Sequence, residues 1–277
     1  MNRLFTILCM ASLLVFHTSC NEGLMDLESS GVELKTRAAE QKVQSLIQQA
    51  RYGDAGAYNS LAQCYRDGDG VEKSYFNMLC MYANYCNITG SNLDKVVELF
   101  EDGHPFKKFT YLLKSSANDD EFMDSLESLE KEEPLEVKAI KAACDLRIEE
   151  KSATALNALR KAENEGSELA VLFQIVYYEE ENMKADYEQC LIRHMEEYPF
   201  LNLKIGDLYA ERHMESKDFS DIQKAIEYYY KADTYAMLTS KYAHKLINMY
   251  KKYGEDGLLN CDHQEMERLK KIASIND

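Results

Sequence analysis

Two pairs of cysteine and histidine have a spacing that could bind a metal ion. Cys190 and His194 lie four residues apart, so they would share one face of a helix, and Cys261 and His263 lie two residues apart. Protein zinc sites use three or four protein ligands, and two ligands do not make a site. We therefore expect no metal and no cofactor.

Acidic residues at 179–181 are the next candidates for chemistry, because they follow Tyr177 and Tyr178, and carboxylates beside aromatic rings occur in glycosidase clefts. Adjacent carboxylates on one helix point in different directions and do not face each other across a sugar. The chain also lacks a glycine-rich phosphate loop, a G-x-S-x-G elbow and an H-E-x-x-H sequence. We interpret residues 179–181 as a charged helix end, and expect no catalytic residues and no enzyme.

The secondary structure of the chain is clearest at residues 53–90, which predict two short amphipathic helices. The first helix ends at the Asp-Gly-Asp-Gly sequence of residues 67–70, and the second runs from Ser74, a suitable N-cap, to Gly90. Each helix has apolar residues at helical spacing, namely Ala57, Leu61, Cys64 and Tyr65 in the first and Met78, Met81, Tyr82 and Tyr85 in the second. Two such helices cannot bury their faces alone, so further copies are expected.

These residues resemble the Sel-like repeat, a relative of the tetratricopeptide repeat. The matching residues are Gly53, Asp54, Ala57, Leu61, Tyr65, Gly68, Gly70, Val71 and Tyr82. Ala62, Ser74 and Met81 replace the usual Gly, Asp and Trp. The resemblance implies an all-α solenoid of stacked helix pairs that binds protein partners.

A second copy extends over residues 201–232. Its first helix is represented by Ile205, Gly206 and Tyr209, and its second by Asp221, Lys224, Ala225, Tyr228, Tyr229, Lys231 and Ala232. Residues 210–220 form an insert where the pattern has a short turn. Weaker copies are predicted at Gly166, Ala170 and Tyr178, from Tyr242 to Tyr250, and at 99–116. The three prolines, Pro105, Pro134 and Pro199, are expected at helix boundaries.

The N-terminus predicts export, because Arg3 precedes an apolar run at residues 4–16 that is too short for a comfortable membrane span. The sequence at 17–20, His-Thr-Ser-Cys, resembles a bacterial lipobox, although His17 stands where an aliphatic residue is usual. We expect a lipoprotein signal peptide at 1–19, lipidation of Cys20, a flexible tether at 20–35 and a helical repeat domain at 36–277. Ordinary cleavage near Ser19 and an uncleaved anchor are the alternatives.

The protein is acidic, with a formal net charge of −16 that cleavage before Cys20 would make one unit more negative. Nucleic acid and anionic lipid are therefore disfavoured as partners, while association with a basic protein would be accelerated. The densest acidic run, at residues 119–136, is interpreted as an exposed helix broken by Pro134.

Cysteine and tyrosine complete the candidates. Six cysteines follow Cys20, and we favour buried thiols over a bridge between Cys64 and Cys80. Most tyrosines fall on the buried stripes, including Tyr65, Tyr82, Tyr209, Tyr228 and Tyr229. Three lie off those stripes and are the predicted partner-binding residues of a concave groove, namely Tyr58, Tyr75 and Tyr230.

The sequence thus predicts a lipid-anchored envelope protein of a Gram-negative bacterium that acts as a non-catalytic protein-interaction scaffold. Asn21 follows Cys20 where inner-membrane retention uses Asp, so by that resemblance the outer membrane is favoured. An immunity-type lipoprotein that neutralises a basic envelope toxin is a sharper variant, and an assembly factor is another. The alternative of a different class is an envelope glycan-binding or glycan-processing accessory protein, which a carboxylate pair across a cleft would favour.

Overall fold

The structure is a computed structural model that describes residues 30–92, 95, 98–99, 126, 130–131, 134–146, 152–254 and 257–274. These residues form eleven α-helices and no strand, as the sequence predicts for an all-α protein. The helices are α1 Ser30–Arg51, α2 Ala55–Asp67, α3 Tyr75–Thr89, α4 Pro134–Asp145, α5 Ser152–Asn164, α6 Glu168–Glu180, α7 Lys184–His194, α8 Leu201–Ser216, α9 Phe219–Asp233, α10 Ser240–Gly254 and α11 His263–Ala273. None of the helices in these ranges combines the length and apolarity needed to cross a bilayer.

The chain divides into two compact units. One contains α4, α5, α6 and α7 as far as Cys190, and the other contains α1–α3, the end of α7 from Leu191, and α8–α11. Within each unit, helices that follow one another in sequence pack as pairs, such as α2 with α3 and α8 with α9.

The α2–α3 pair has the boundaries that the sequence predicts. Asp54 caps α2 by accepting a hydrogen bond from the amide of Ala57 at 3.1 Å. Gly68 ends α2 in the left-handed region, with φ of 73°, which costs glycine little because it has no Cβ. Ser74 caps α3 through the Asn77 amide at 3.1 Å, and Gly90 ends it with φ of 68°. Local capping and turn residues therefore set the ends of both helices.

The predicted insert at 210–220 is not a loop. Residues 210–216 continue α8, and only Lys217 and Asp218 lie between α8 and α9. Lys217 adopts φ of 60° and Asp218 caps α9 through the Ser220 amide at 2.9 Å. The extra residues thus lengthen α8 by about two turns instead of separating the helices.

Two other predictions about the course of the chain have different outcomes. Helix α1 begins at Ser30, so residues 30–35 are helical and the predicted tether is shorter at that end.

Pro134 is the first residue of α4, and Pro199 lies two residues before α8, as expected for helix boundaries. Pro105 and residues 1–29, with the predicted signal peptide and Cys20, lie outside the described residues, as do nearly all of 99–116 and most of the acidic run at 119–136.

The unit formed by α4–α7 has a small-residue core. Buried Val137, Ile140 and Leu159 pack with alanines from α4, α5 and α6. The hydroxyl of Ser167 caps α6 at the Ala170 amide and donates to Glu136 at 2.7 Å, which ties α6 to α4.

In the other unit, the first and last described helices, α1 and α11, meet at a buried ion cluster. The carboxylate of Asp233 on α9 is fully buried and accepts hydrogen bonds from Arg51 of α1 and Arg268 of α11, the shortest from each at 2.8 Å. Arg268 also donates to the carbonyl of Arg51 at 3.2 Å and to both carboxylate oxygens of Glu265 at 2.7 Å. Burial lowers the pKa of Arg268, but the hydrogen bonds to Glu265 and Asp233 outweigh it and hold the pKa above its usual range. A solenoid requires contacts only between neighbouring repeats, so this contact is additional to the repeat pattern.

Candidate functional site

The three tyrosines predicted to bind a partner, Tyr58, Tyr75 and Tyr230, have different surroundings in the structure. Tyr58 is 4% exposed, so the prediction that it lines an open groove is wrong. Burial and the nearby Asp233 carboxylate raise the pKa of Tyr58. Its side chain fills the core beside the Asp233–Arg268 cluster, which the helical stripe of α2 alone could not reveal.

Tyr75 and Tyr230 are half-buried on α3 and α9. The ammonium of Lys73 lies 5.0 Å from the centre of the Tyr75 ring. The hydroxyl of Tyr230 accepts a hydrogen bond from Tyr250 of α10 at 3.2 Å, and burial raises its pKa, with further contributions from Tyr250 and Glu265. Tyr230 therefore joins two helices in addition to presenting part of its ring to solvent.

The candidate metal ligands have other surroundings. Cys190 is buried, and the imidazole Nδ1 of His194 lies 3.0 Å from Glu197. Among the described residues, no group of three or more His, Cys, Asp or Glu side chains is arranged to hold a metal ion. Cys64 and Cys80 are buried thiols, and burial raises the pKa of both.

A groove of about 340 Å³ lies between α8 and α10 and is the best-defined candidate site. Ligand sites generally occupy about 300–1,000 Å³, so this groove has room for a few side chains of a partner. It is lined by Asp207, Ala210, Glu211, His213 and Met214 of α8, Ile222 of α9, and Lys245, Asn248, Met249, Lys252 and Tyr253 of α10.

Asp207 fixes the walls of this groove at one end. Its carboxylate accepts hydrogen bonds from the hydroxyls of Tyr229, at 2.7 Å, and Tyr242, at 3.2 Å, and it also pairs with the ammonium of Lys245. Since Tyr229 belongs to α9 while Tyr242 and Lys245 belong to α10, one carboxylate joins three helices. Burial and the charge of Asp207 raise the pKa of Tyr229, so its phenol stays a donor at neutral pH.

His213 has the same joining role farther along the groove. One ring nitrogen, Nδ1, lies 2.7 Å from the carbonyl of Asp218, and Nε2 lies 2.7 Å from the hydroxyl of Tyr253 on α10. The Tyr253 ring also meets the imidazole edge-on, at 5.5 Å between ring centres. Because Asp207 and His213 both join α8 to α10 by side-chain contacts, they fix the positions of the two helices that form the walls of the groove.

The exposed lining of the groove is mainly apolar. Met214, next to His213 in α8, is 62% exposed, and Ile222 of α9 is buried. The α8 wall carries the exposed acid Glu211, and the α10 wall carries the exposed Lys252. Such a surface can take up an apolar side chain and pair with charges of either sign beside it.

Sequence reasoning missed Asp207 and Lys245. Asp207 is adjacent to Gly206 in the matched helix, and a signal was present, because Asp207, Glu211 and Met214 share one face at helical spacing, as Lys245 and Lys252 do. Only the packing of α8 beside α10 makes those two faces opposite walls.

The unit formed by α4–α7 contains a larger groove, of about 570 Å³, between α4 and α5. Its lining is rich in alanine and includes Lys138, Lys141 and Lys161. Residues 147–151, which connect these helices in sequence, lie outside the described ones. The lining of the α8–α10 groove, by contrast, lies entirely within the described residues.

No protein-family model, no curated protein and no solved structure matches this chain.

Proposed function

We propose that the chain is a lipid-anchored cell-envelope protein that acts as a non-catalytic protein-interaction scaffold. Its helix pairs are repeats of a Sel-like or tetratricopeptide-like α-solenoid, and the α8–α10 groove holds a segment of the partner. The observation that carries the proposal is the apolar groove, whose two walls are joined through Asp207 and His213. A preformed groove lowers the entropy cost of binding because its side chains are already ordered before the partner binds.

The groove chemistry favours a protein segment as the occupant. An apolar side chain would cover the exposed part of Met214, while Glu211 and Lys252 on the opposing walls would pair with charges that flank it. Because the net charge of the chain is −16, a partner with a basic surface would associate fastest. An immunity-type protein for a basic envelope toxin fits this charge balance.

The envelope location rests on the N-terminal sequence. Arg3 and the apolar run at 4–16 direct export, and Cys20 receives the lipid that holds the protein at the outer membrane. The helical body then projects from the membrane on the segment that follows Cys20.

The glycan alternative is less well supported at this groove. A hydrolase would place carboxylates on both sides of the cleft, about 5–10 Å apart. Both carboxylates that line the groove, Asp207 and Glu211, belong to α8, and the α10 wall presents Lys245, Asn248 and Lys252. Retained polysaccharide on the purified protein would still favour glycan binding over the scaffold.

Site-specific photocrosslinking in cells tests the proposal. A photoreactive residue in place of Met214 should give one dominant crosslinked protein of defined mass, which purification from solubilised envelopes would identify. The same residue in place of Leu258, which is 52% exposed outside the groove, is the matched control. Equal crosslinking from positions 214 and 258, or none from either, would contradict a binding groove between α8 and α10.

The identified partner then permits a quantitative check with purified proteins. Met214→Glu places a charge at the apolar edge of the groove and should weaken binding by at least about tenfold, which corresponds to about 1.4 kcal/mol. Leu258→Glu adds the same charge elsewhere and should change the Kd by less than about twofold. Circular dichroism of both variants should match the unaltered protein, because both replaced side chains are exposed.

A further inference from the structure

Met214 is the one exposed methionine among the residues that the structure describes. Its side chain is 62% exposed and lines the groove between α8 and α10. The other described methionines are buried or half-buried, and Met78, Met81 and Met237 are each at most 1% exposed. An oxidant in solution therefore reaches the sulfur of Met214 more readily than the sulfur of any of these.

The cysteines compete poorly for the same oxidants. Of the six cysteines in the described part of the chain, four are buried and two are half-buried. A peroxide reacts with the thiolate form of cysteine, and burial raises the pKa of the half-buried Cys261 thiol. The pKa of the buried Cys64, Cys80 and Cys86 thiols is raised for the same reason. A thioether has no proton to lose, so Met214 stays reactive at any pH near neutral.

The position of Met214 connects its oxidation to the groove. Its neighbour His213 is buried and lies 2.7 Å from both the Asp218 carbonyl and the Tyr253 hydroxyl, which fixes α8 at this point. Because the Met214 side chain itself is exposed, its oxidation leaves this packing in place. The reaction changes a flexible apolar group at the groove into a polar sulfoxide.

We propose that Met214 is an oxidation site that controls binding at the groove, an inference that rests on the proposed function of that groove. The sulfur of Met214 attacks one oxygen of hydrogen peroxide or of an alkyl hydroperoxide. An S–O bond forms and the O–O bond breaks, so the sulfur loses two electrons. The proton on the transferred oxygen moves to the leaving oxygen, which departs as water or an alcohol. The sulfoxide oxygen requires a hydrogen-bond donor when it is covered, so an apolar side chain of the partner no longer packs on it favourably.

The exposure of Met214 also makes the change reversible. Methionine sulfoxide reductases return the sulfoxide to the thioether, while two thiols are oxidised to a disulfide and the oxygen leaves as water. Such an enzyme must reach the side chain, as it can at Met214. A sulfoxide at the buried Met78 or Met81 would instead place a polar group in the core and destabilise the fold. Oxidation at Met214 is thus a switch of the groove and not damage to the fold.

Limited oxidation of the purified full chain by hydrogen peroxide, followed by peptide mass spectrometry, tests the selectivity. Met214 sulfoxide should accumulate first, while the half-buried Met183 and Met266, which lie outside the groove, should react several-fold more slowly. Circular dichroism should not change when only Met214 is oxidised. Equal rates at these three methionines, or earlier oxidation of Cys144 or Cys261, would overturn the assignment of Met214 as the reactive sulfur.

Crosslinking in cells tests the control of binding, with a photoreactive residue in place of Asn248, an exposed residue of the opposite wall. A pulse of hydrogen peroxide should remove most of the crosslinked partner relative to the untreated sample. Addition of Met214→Leu, which has no sulfur, should make the yield independent of peroxide, each variant being compared with its own untreated sample. Met266→Leu removes a methionine outside the groove and should leave the sensitivity to peroxide unchanged.

The remaining outcomes separate this inference from the function of the groove. A crosslink that persists although mass spectrometry shows Met214 sulfoxide would overturn the switch and leave the groove as a binding site. Equal loss with Met214→Leu would also overturn it, because the peroxide would then act elsewhere. No crosslink from position 248 before peroxide is added would contradict the proposed function of the groove, and this inference with it.

Discussion

The buried carboxylate of Asp233 gives the sharpest prediction about stability. Asp233→Asn preserves the shape of the side chain but removes its charge and replaces one acceptor oxygen with a donor group. In the folded protein both oxygens of Asp233 accept from guanidinium groups, at 2.8 and 3.2 Å from Arg268 and at the same two distances from Arg51. The new amide would therefore direct a donor toward donors in a site that water does not reach.

The size of the effect follows from the surroundings of the two arginines. Removing one partner of a buried ion pair generally costs about 3–5 kcal/mol, because the other charge remains buried. Arg268 keeps both hydrogen bonds to Glu265, and the Arg51 side chain is 26% exposed and can be hydrated. Both features reduce the penalty, so we expect Asp233→Asn to lower the free energy of unfolding by about 3 kcal/mol.

Urea denaturation followed by circular dichroism measures this change, and Asp69→Asn is its matched control. Asp69 pairs with Lys42 at 2.6 Å, but the two side chains are 46% and 54% exposed, so its loss should cost less than about 1 kcal/mol. Hydrogen exchange should show the added mobility of Asp233→Asn at the end of α1 and in α11, the helices that supply the two arginines. Equal destabilisation by the two substitutions would refute the reasoning from burial.

Three further predictions concern packing, pH and anchoring. Gly206→Ala should cost about 1–3 kcal/mol, because its Cβ would lie 2.6 Å from Cδ1 of the Tyr229 ring and closer still to Cε1. Gly254→Ala should be neutral or stabilising, and equal denaturation midpoints for the two variants would contradict this close packing. Burial raises the pKa of Tyr58 and Tyr229 above the usual 10.0, so the folded state holds these protons more tightly than the unfolded state. Stability should therefore be complete below about pH 10 and fall above it by about 1.4 kcal/mol per pH unit for each tyrosine, and a constant urea midpoint across that range would exclude this linkage. Cys20→Ser should move the protein from the membrane to the soluble fraction, and tight membrane association of a cleaved variant would disprove the lipid anchor.

Much of the local structure was predictable because it depends on residues close in sequence. The break at 67–70, the Ser74 cap and the Gly90 end appear in the structure as predicted, since each uses a side chain or backbone conformation that acts within a few residues. Helices also occur at 168–180 and 240–254, where the sequence predicts weaker copies of the pattern. Helix existence and capping are thus recoverable from spacing alone.

The same local reasoning failed where a residue had more than one possible environment. Residues 210–220 were predicted as an insert that separates the two helices of the repeat, yet residues 210–216 continue α8, since nothing in them stops a helix before Lys217. Tyr58 lies off the main stripe of α2 but is buried, because the Asp233–Arg268 cluster packs beside it. A helical stripe defines one buried face and cannot report a second contact from helices far along the chain.

The sequence by itself determined the all-helical class, the positions of the caps and the acidic charge, because these follow from residue type and short-range spacing. The tertiary structure decided which faces meet. It joined Arg51 to Asp233 across 182 positions, made Asp207 and Lys245 parts of one groove, and left Tyr209 and Tyr228 at the surface. The physical reason is that helix packing depends on complementary side-chain surfaces between distant segments. Hydrophobic periodicity shows only which side of its own helix a residue occupies.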